Sequence, residues 1–101
     1  MFKNSPLKAF GIAWFTDRET YQKALSIFDD SYKLSTSYDE WLLQAEGLCE
    51  QIERAGKTPV KAIIDPDTFP EWCRDRGLNV DAAARMEFAS LEAYKFIQKG
   101  S

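Results

Sequence analysis

The stretch IDPDTFPEWC, residues 64–73, brings two carboxylates and a thiol close together. Asp65 and Asp67 are separated by one residue at the end of an apolar run, and Cys73 follows six residues after Asp67. Carboxylates so placed could hold a hard metal ion or exchange protons with a substrate. A metal site needs further oxygen or nitrogen ligands, and the neighbouring sequence has neither an EF-hand nor a zinc pattern. The pattern therefore favours a turn in which Asp65 and Asp67 bond to the local backbone.

The histidine content limits the chemistry further. The chain has no His, which removes the commonest general base, the usual catalytic triads and most zinc sites. Cys49 and Cys73 have no imidazole to activate them, and two cysteines in a chain of this size do not indicate a disulfide framework. We expect two inert core thiols, no enzyme activity, no catalytic residue, no metal and no cofactor.

Length and composition indicate one globular domain. The chain has 101 residues, of which 45% are hydrophobic and 29% charged, as in ordinary folded domains. We expect a single domain over residues 1–101, with fraying at residues 1–8 and 98–101. Aromatic residues make up 14% of the chain, so a core built on rings is predicted.

Charge and hydropathy narrow the choice of partners. The net charge is −3, and the 13 basic residues are dispersed among 16 acidic ones. Nucleic acids and anionic membranes select clustered Lys and Arg, so we expect neither as a partner. The longest apolar run, AFGIAWF at residues 9–15, is far below the roughly 20 residues needed to span a bilayer. The N-terminus shows no signal-peptide pattern, and a cytoplasmic location is expected.

Two strands are predicted. Large residues alternate with small ones over residues 9–15, which indicates a buried strand packed closely by a helix on its small side. Alternation in TPVKAIID, residues 58–65, indicates the second strand. Each strand needs a partner for its backbone. The intervening segment is long enough for a parallel crossover.

Four helices are predicted from capping patterns and apolar spacing. Thr16, Ser37 and Thr68 each precede a Glu by three residues and indicate capping boxes. The first helix spans about residues 17–28, and the second extends from Ser37 to about residue 55. Asp81 caps the last helix, and Gly56 and Gly77 suit helix ends. Gly47, inside the second helix, suggests a close approach by another element. The last helix has an expected inward stripe of Ala82, Met86, Ala89, Ala93 and Phe96.

These elements define the fold class. The order is β-α-α-β-α-α, which predicts a mostly helical α+β domain with four helices packed on a small, two-stranded, parallel sheet.

Three blocks of sequence carry a resemblance: GIAWFTDRETY, SYDEWLLQAE and VKAIIDPDTFPEWCRDRGLNVDAAARMEFAS. In this order they resemble a family of small bacterial proteins without an assigned function, some of them carried on mobile elements. The resemblance covers nearly the whole chain and is most specific in IDPDTFPEWC. It implies a bacterial source and a cytoplasmic location, and it supplies no activity, cofactor or catalytic residue.

The first functional hypothesis is a protein-interaction or adaptor module that self-associates. Two short strands make a weak sheet, and pairing across a two-fold axis would cover an exposed edge. Protein partners, including a second copy, are expected. The larger aromatic side chains could form the core or an interface: Trp14, Phe15, Tyr38, Trp41 and Trp72. A DNA-binding regulator is less favoured, because the acids in RDRGLNVDAAARMEF would face phosphates.

The alternative is a small-ligand pocket beyond the carboxyl ends of the strands. Asp17, Asp65 and Asp67 would supply carboxylates, and Trp14 and Trp72 would supply aromatic walls for a cationic or polar ligand.

Arg85 could belong to this pocket. Its planar fork could reach Asp65 or Asp67, or it could stack on Trp72. A surface pair with Asp81, one turn back, is the other possibility.

Overall fold

The computed structural model describes residues 8–100. The single domain and the fraying of residues 1–8 and 98–101 stay predictions; residues 1–7 and 101 lie outside the described range. The elements are β1 (Ala9–Trp14), α1 (Arg18–Leu25), α2 (Tyr38–Arg54), β2 (Thr58–Ile63), α3 (Phe69–Asp75) and α4 (Ala82–Gly100), with a short 3₁₀ turn at Ser31–Lys33. This order confirms the predicted β-α-α-β-α-α fold, which is mostly helical.

The two strands form a parallel sheet, as predicted. The register pairs Ala9 with Thr58 at one end and Trp14 with Ile63 at the other. The connection between the strands contains α1 and α2, which supply the crossover that parallel strands require.

α4 packs on one face of the sheet, across both strands. An ideal Cβ on Gly11 would lie 2.0 Å from the carbonyl oxygen of Ala89, so the backbones of β1 and α4 touch. This contact confirms that the small side of β1 is packed closely by a helix. Gly47 was predicted to mark another close approach, and that prediction was wrong, because no neighbouring atom lies within 4 Å of a Cβ built there.

Aromatic rings fill the core on the other face of the sheet, as the composition predicted. Trp41 of α2 stacks on Tyr21 and Tyr38 with ring centroids 5.5 and 5.6 Å apart, and it meets Trp14 and Phe15 edge-on. Trp14, Phe15 and Trp41 are buried, whereas Tyr38 and Trp72 are half-buried. These five rings therefore belong to the core or to its margin.

Two of the predicted helix caps are confirmed. Ser37 accepts a hydrogen bond from the Glu40 N–H at 3.3 Å, and Asp81 accepts one from the Ala84 N–H at 3.2 Å. The Ser37 N–H, however, donates to the Ser35 hydroxyl, which in turn donates to the Glu40 carboxylate, so the direct reciprocal bond of the capping box is not formed. Gly56 and Gly77 have φ of 80° and 69°, which suits the predicted helix ends.

The other two capping predictions were wrong. α1 is capped by Asp17, which accepts from the Thr20 N–H at 2.8 Å, rather than by Thr16. Asp17 is preferred because a carboxylate at the positive helix end adds charge to the hydrogen bond. The Thr68 side chain caps no N–H of α3, because its backbone is already helical (φ −112°, ψ −20°) rather than extended as a cap requires; its hydroxyl donates instead to the Asp65 carbonyl.

The inward stripe of α4 was predicted only in part. Ala89 and Ala93 are buried, but Ala82 is exposed, Met86 is 69% exposed and Phe96 is 40% exposed. The helix instead turns Ala84 and Phe88 inward; the Phe88 ring meets those of Phe69 and Trp72 edge-on. In this rotation Met86 lies on the surface.

No helix within residues 8–100 has the length and apolar character needed to span a membrane.

Candidate functional site

The predicted ligand pocket at the strand ends is a shallow depression beside α1. Asp65 and Asp67 line it together with Glu19, Thr20, Lys23 and Pro66. An oxygen of Asp65 accepts from the Asp67 N–H at 2.9 Å, which is the turn predicted from the sequence. Asp67 pairs with the Lys23 ammonium at 2.8 Å. The hydrogen bond that Lys23 donates to this carboxylate raises the pKa of the lysine. Both carboxylates are thus engaged locally.

The other predicted pocket residues lie elsewhere. Asp17 caps α1, and the hydrogen bond from the Thr20 backbone lowers its pKa. Trp14 lies in the core, with the Lys61 ammonium 4.4 Å from its ring centroid. Trp72 stacks on Phe69, with the Arg76 guanidinium 4.1 Å from its ring centroid. Neither tryptophan lines the depression, so the predicted aromatic walls are not formed there. Residues 8–100 contain no cluster of three or more metal-ligating side chains.

Arg85 has a different partner from those predicted. Its guanidinium donates to both carboxylate oxygens of Asp30, at 2.9 and 3.0 Å, and lies 4.5 Å from the ring centroid of Phe28. The predicted contacts with Asp65, Asp67 or Trp72 were wrong, and so was the surface pair with Asp81. The cause is the path of the loop after α1, which is bound to the α4 entry through the Asp29 N–H and the Val80 carbonyl at 2.7 Å.

The two cysteines are placed as core thiols. Cys73 is fully buried and Cys49 is half-buried. Burial raises the pKa of both thiols, which lowers the fraction present as the nucleophilic thiolate at neutral pH.

The two outer edges of the sheet differ in chemistry. Two hydrogen bonds mark the ends of the β1–β2 ladder. The Thr58 N–H donates to the Lys8 carbonyl at 2.8 Å, and the Ile64 N–H donates to the Trp14 carbonyl at 3.0 Å. In a parallel ladder of this register the even-numbered residues of β1 bond to β2. The peptide groups at the outer edge of β1 are therefore those of Ala9, Gly11 and Ala13.

The outer edge of β2 carries residues that hinder pairing with another strand, and we call such an edge guarded. The outer edge of β1 carries none between Ala9 and Ala13, and we call it unguarded. By the same alternation Pro59, Lys61 and Ile63 present their peptide groups at the outer edge of β2. Proline has no N–H to donate, and lysine on an edge strand discourages pairing with another chain. β1 has neither residue type between Ala9 and Ala13, and within residues 8–100 it pairs with β2 alone.

An apolar groove follows the unguarded edge of β1. It consists of two adjoining depressions that share Phe10 and Gly11, with α4 along one side and Leu48 of α2 on the other. Phe10 is 52% exposed and Tyr94 is 60% exposed. We call this surface the β1 groove; it is formed chiefly by Phe10, Gly11, Leu48, Met86, Ser90 and Tyr94.

Part of the β1 groove could have been predicted from the sequence. Met86 fits the apolar spacing of α4 and was therefore expected to face inward. Its exposure follows from how α4 is rotated on the sheet, which the spacing alone does not determine. One usable signal was present: β1 lacks Pro and charged residues, whereas β2 has Pro59 and Lys61.

Within residues 8–100 the structure is a small α+β fold whose β2 edge carries Pro59 and Lys61, whereas the paired residues of β1 include neither Pro nor Lys. No family model, no curated protein and no solved structure matches the chain.

Proposed function

We propose that this protein is a protein-interaction module that self-associates, and that the β1 groove is the surface through which it does so. The observation that carries the proposal is the difference between the two sheet edges. An exposed row of backbone N–H and C=O groups is a template for pairing with another strand, and proteins normally guard such edges. Among the paired residues of the two strands, Pro59 and Lys61 hinder further pairing at the outer edge of β2, and the outer edge of β1 has no Pro or Lys between Ala9 and Ala13.

The exposed apolar side chains beside this edge support the same proposal. Met86 is 69% exposed and Tyr94 is 60% exposed on α4, and Phe10 is 52% exposed on β1. Contiguous apolar surface next to an open strand is typical of a binding site rather than of a solvated face. Covering it would remove these side chains from water, and the association would be driven by that burial.

Light scattering across a range of protein concentrations tests the proposal. We expect the wild-type protein to be a dimer at high micromolar concentration and to dissociate on dilution. Met86→Glu places a charge in the β1 groove and should shift the protein to monomer. Leu43→Glu is the matched control, because Leu43 is 73% exposed on α2 and does not line the groove. A wild-type protein that stays monomeric at the highest concentration would contradict the proposal.

The small-ligand function is a second candidate, supported by the depression that Asp65 and Asp67 line. Its support is weaker, because those carboxylates already bond to the Asp67 backbone and to Lys23. A thermal-shift screen of cationic and polar metabolites tests it. Binding at this site should raise the melting temperature of the wild type and have little effect on Asp67→Asn. A stabilising ligand that acts equally on both proteins would bind elsewhere.

A further inference from the structure

We infer that two copies of this chain join through antiparallel pairing of their β1 strands, about a two-fold axis at Gly11. The two sheets would become one sheet of four strands in the order β2-β1-β1-β2. This inference rests on the proposed self-association and adds its geometry: which strand pairs, in which direction and in which register.

The sequence of β1 is symmetric about Gly11 in side-chain size. It reads Ala9-Phe10-Gly11-Ile12-Ala13, so that small and large residues alternate identically in both directions. An antiparallel pair centred on Gly11 places Ala9 opposite Ala13 of the second copy and Phe10 opposite Ile12. Large then faces large and small faces small. The occupant that fits such a strand is a second copy of the same strand.

The hydrogen-bonding groups at the edge agree with this register. Ala9, Gly11 and Ala13 are the residues whose peptide groups point away from β2, as derived above from the ladder. In an antiparallel pair, directly opposed residues of this kind exchange both N–H···O=C bonds. Centring the pair on Gly11 therefore satisfies the outward groups of all three residues.

α4 supplies the second layer of the contact. Gly11 touches the Ala89 backbone, and the adjacent Ser90 lines the β1 groove, so an axis at Gly11 brings Ser90 close to Ser90 of the second copy. Paired strands lie about 4.8 Å apart, whereas packed helices need about 8–10 Å. A small residue at the crossing eases that difference. Met86 and Tyr94, one turn to either side, then meet across the axis, where a thioether–ring contact is favourable.

The charges of the β1 groove allow two copies to approach. Among the described residues that line it, Arg85 is the only charged side chain, and Asp30 neutralises it. The Lys57 ammonium stands nearby, 5.8 Å from the centroid of the Phe10 ring. Two copies can therefore meet without like-charge contacts in the groove itself, although each chain carries a net charge of −3. A highly charged partner would find little to bind there.

Disulfide cross-linking tests this geometry. Ser90→Cys, in a Cys49→Ser background, should form a covalent dimer in the presence of oxidised glutathione. Its rate should exceed that of the matched control Leu43→Cys by about tenfold or more, because thiols held together in a complex have a millimolar effective concentration. Non-reducing electrophoresis measures both rates, and light scattering under reducing conditions measures association of the same samples.

A second pair of variants tests the register without relying on Ser90. Met86→Cys and Tyr94→Cys should cross-link to each other when mixed, faster than either variant cross-links to itself. If the reduced proteins are dimeric but neither test favours the expected pair, the two-fold geometry is overturned and the proposed self-association stands. If the proteins are monomeric at every concentration, both proposals are overturned.

Discussion

The carboxylate of Asp30 and the guanidinium of Arg85 form a two-bond ion pair, with oxygen–nitrogen distances of 2.9 and 3.0 Å. Their side chains are only 10% and 11% exposed. Asp30 also accepts from the Ala82 N–H at 3.0 Å, at the first turn of α4. One carboxylate thus ties the loop after α1 to the start of α4. Met86, the residue after Arg85, lies on the exposed side of α4 in the β1 groove.

The first prediction concerns the stability that this pair supplies. Asp30→Asn should lower the free energy of unfolding by about 3–5 kcal/mol, because it leaves the buried Arg85 without a counter-charge. Arg85→Lys should cost about 1–3 kcal/mol, since an ammonium cannot reproduce the two parallel hydrogen bonds. Asp39→Asn is the matched control. Its pair with Arg18 is exposed at 73% and 61%, and such pairs contribute roughly 0–1 kcal/mol. Urea denaturation compares the three, and equal losses for Asp30→Asn and Asp39→Asn would contradict the prediction.

The second prediction concerns pH. The hydrogen bonds from Arg85 lower the pKa of Asp30 below the ordinary value of 3.8. The unfolded chain therefore binds a proton at this carboxyl more readily than the folded chain. The contribution of Asp30 to stability is complete above the unfolded pKa and is lost as the pH falls through the folded pKa. We expect the urea midpoint of the wild type to decline below about pH 4, and that of Asp30→Asn to decline less steeply over the same range. Parallel slopes for the two proteins would contradict the prediction.

The order of elements could be predicted because its signals are local. A strand, a capped helix and a glycine helix end each depend on residues within a few positions, and Ser37, Asp81, Gly56 and Gly77 behave as those patterns indicate. The parallel sheet followed from the length of the crossover. Cap assignment was less exact at Thr16, where the neighbouring Asp17 competes for the same helix end.

The contacts between distant elements could not be predicted in the same way. Asp30 and Arg85 are 55 residues apart, and no spacing rule relates them. Met86 was expected to face inward, yet the neighbouring Arg85 is the residue that is largely buried, in the ion pair with Asp30, and Met86 is exposed. The β1 groove was missed for a related reason, since its existence depends on which strand edge α2 and α4 leave open.

The third prediction separates a formed helix cap from one that the sequence suggested wrongly. Ser37→Ala should lower stability by about 1 kcal/mol, because it removes the acceptor for the Glu40 N–H at the start of α2. Thr68→Ala should change stability by less than about 0.5 kcal/mol, since the Thr68 side chain caps no N–H of α3. Both positions precede a Glu by three residues, so the comparison isolates the cap. Thermal or urea unfolding measures both variants, and equal effects would contradict the assignment of the caps.

The last prediction compares Gly11, which lies against another element, with Gly47, which was wrongly expected to do so. Gly47 lies inside α2 with open space around it, so Gly47→Ala should raise stability by about 1 kcal/mol through the better helix propensity of alanine. In Gly11→Ala the new Cβ would lie 2.0 Å from the Ala89 carbonyl oxygen. Because that oxygen belongs to the backbone, α4 or β1 must shift, and the cost should reach about 3 kcal/mol or prevent folding. If Gly11→Ala unfolds within about 0.5 kcal/mol of the wild type, α4 does not lie directly against β1. The Ser90 contact inferred from that packing would then lose its basis.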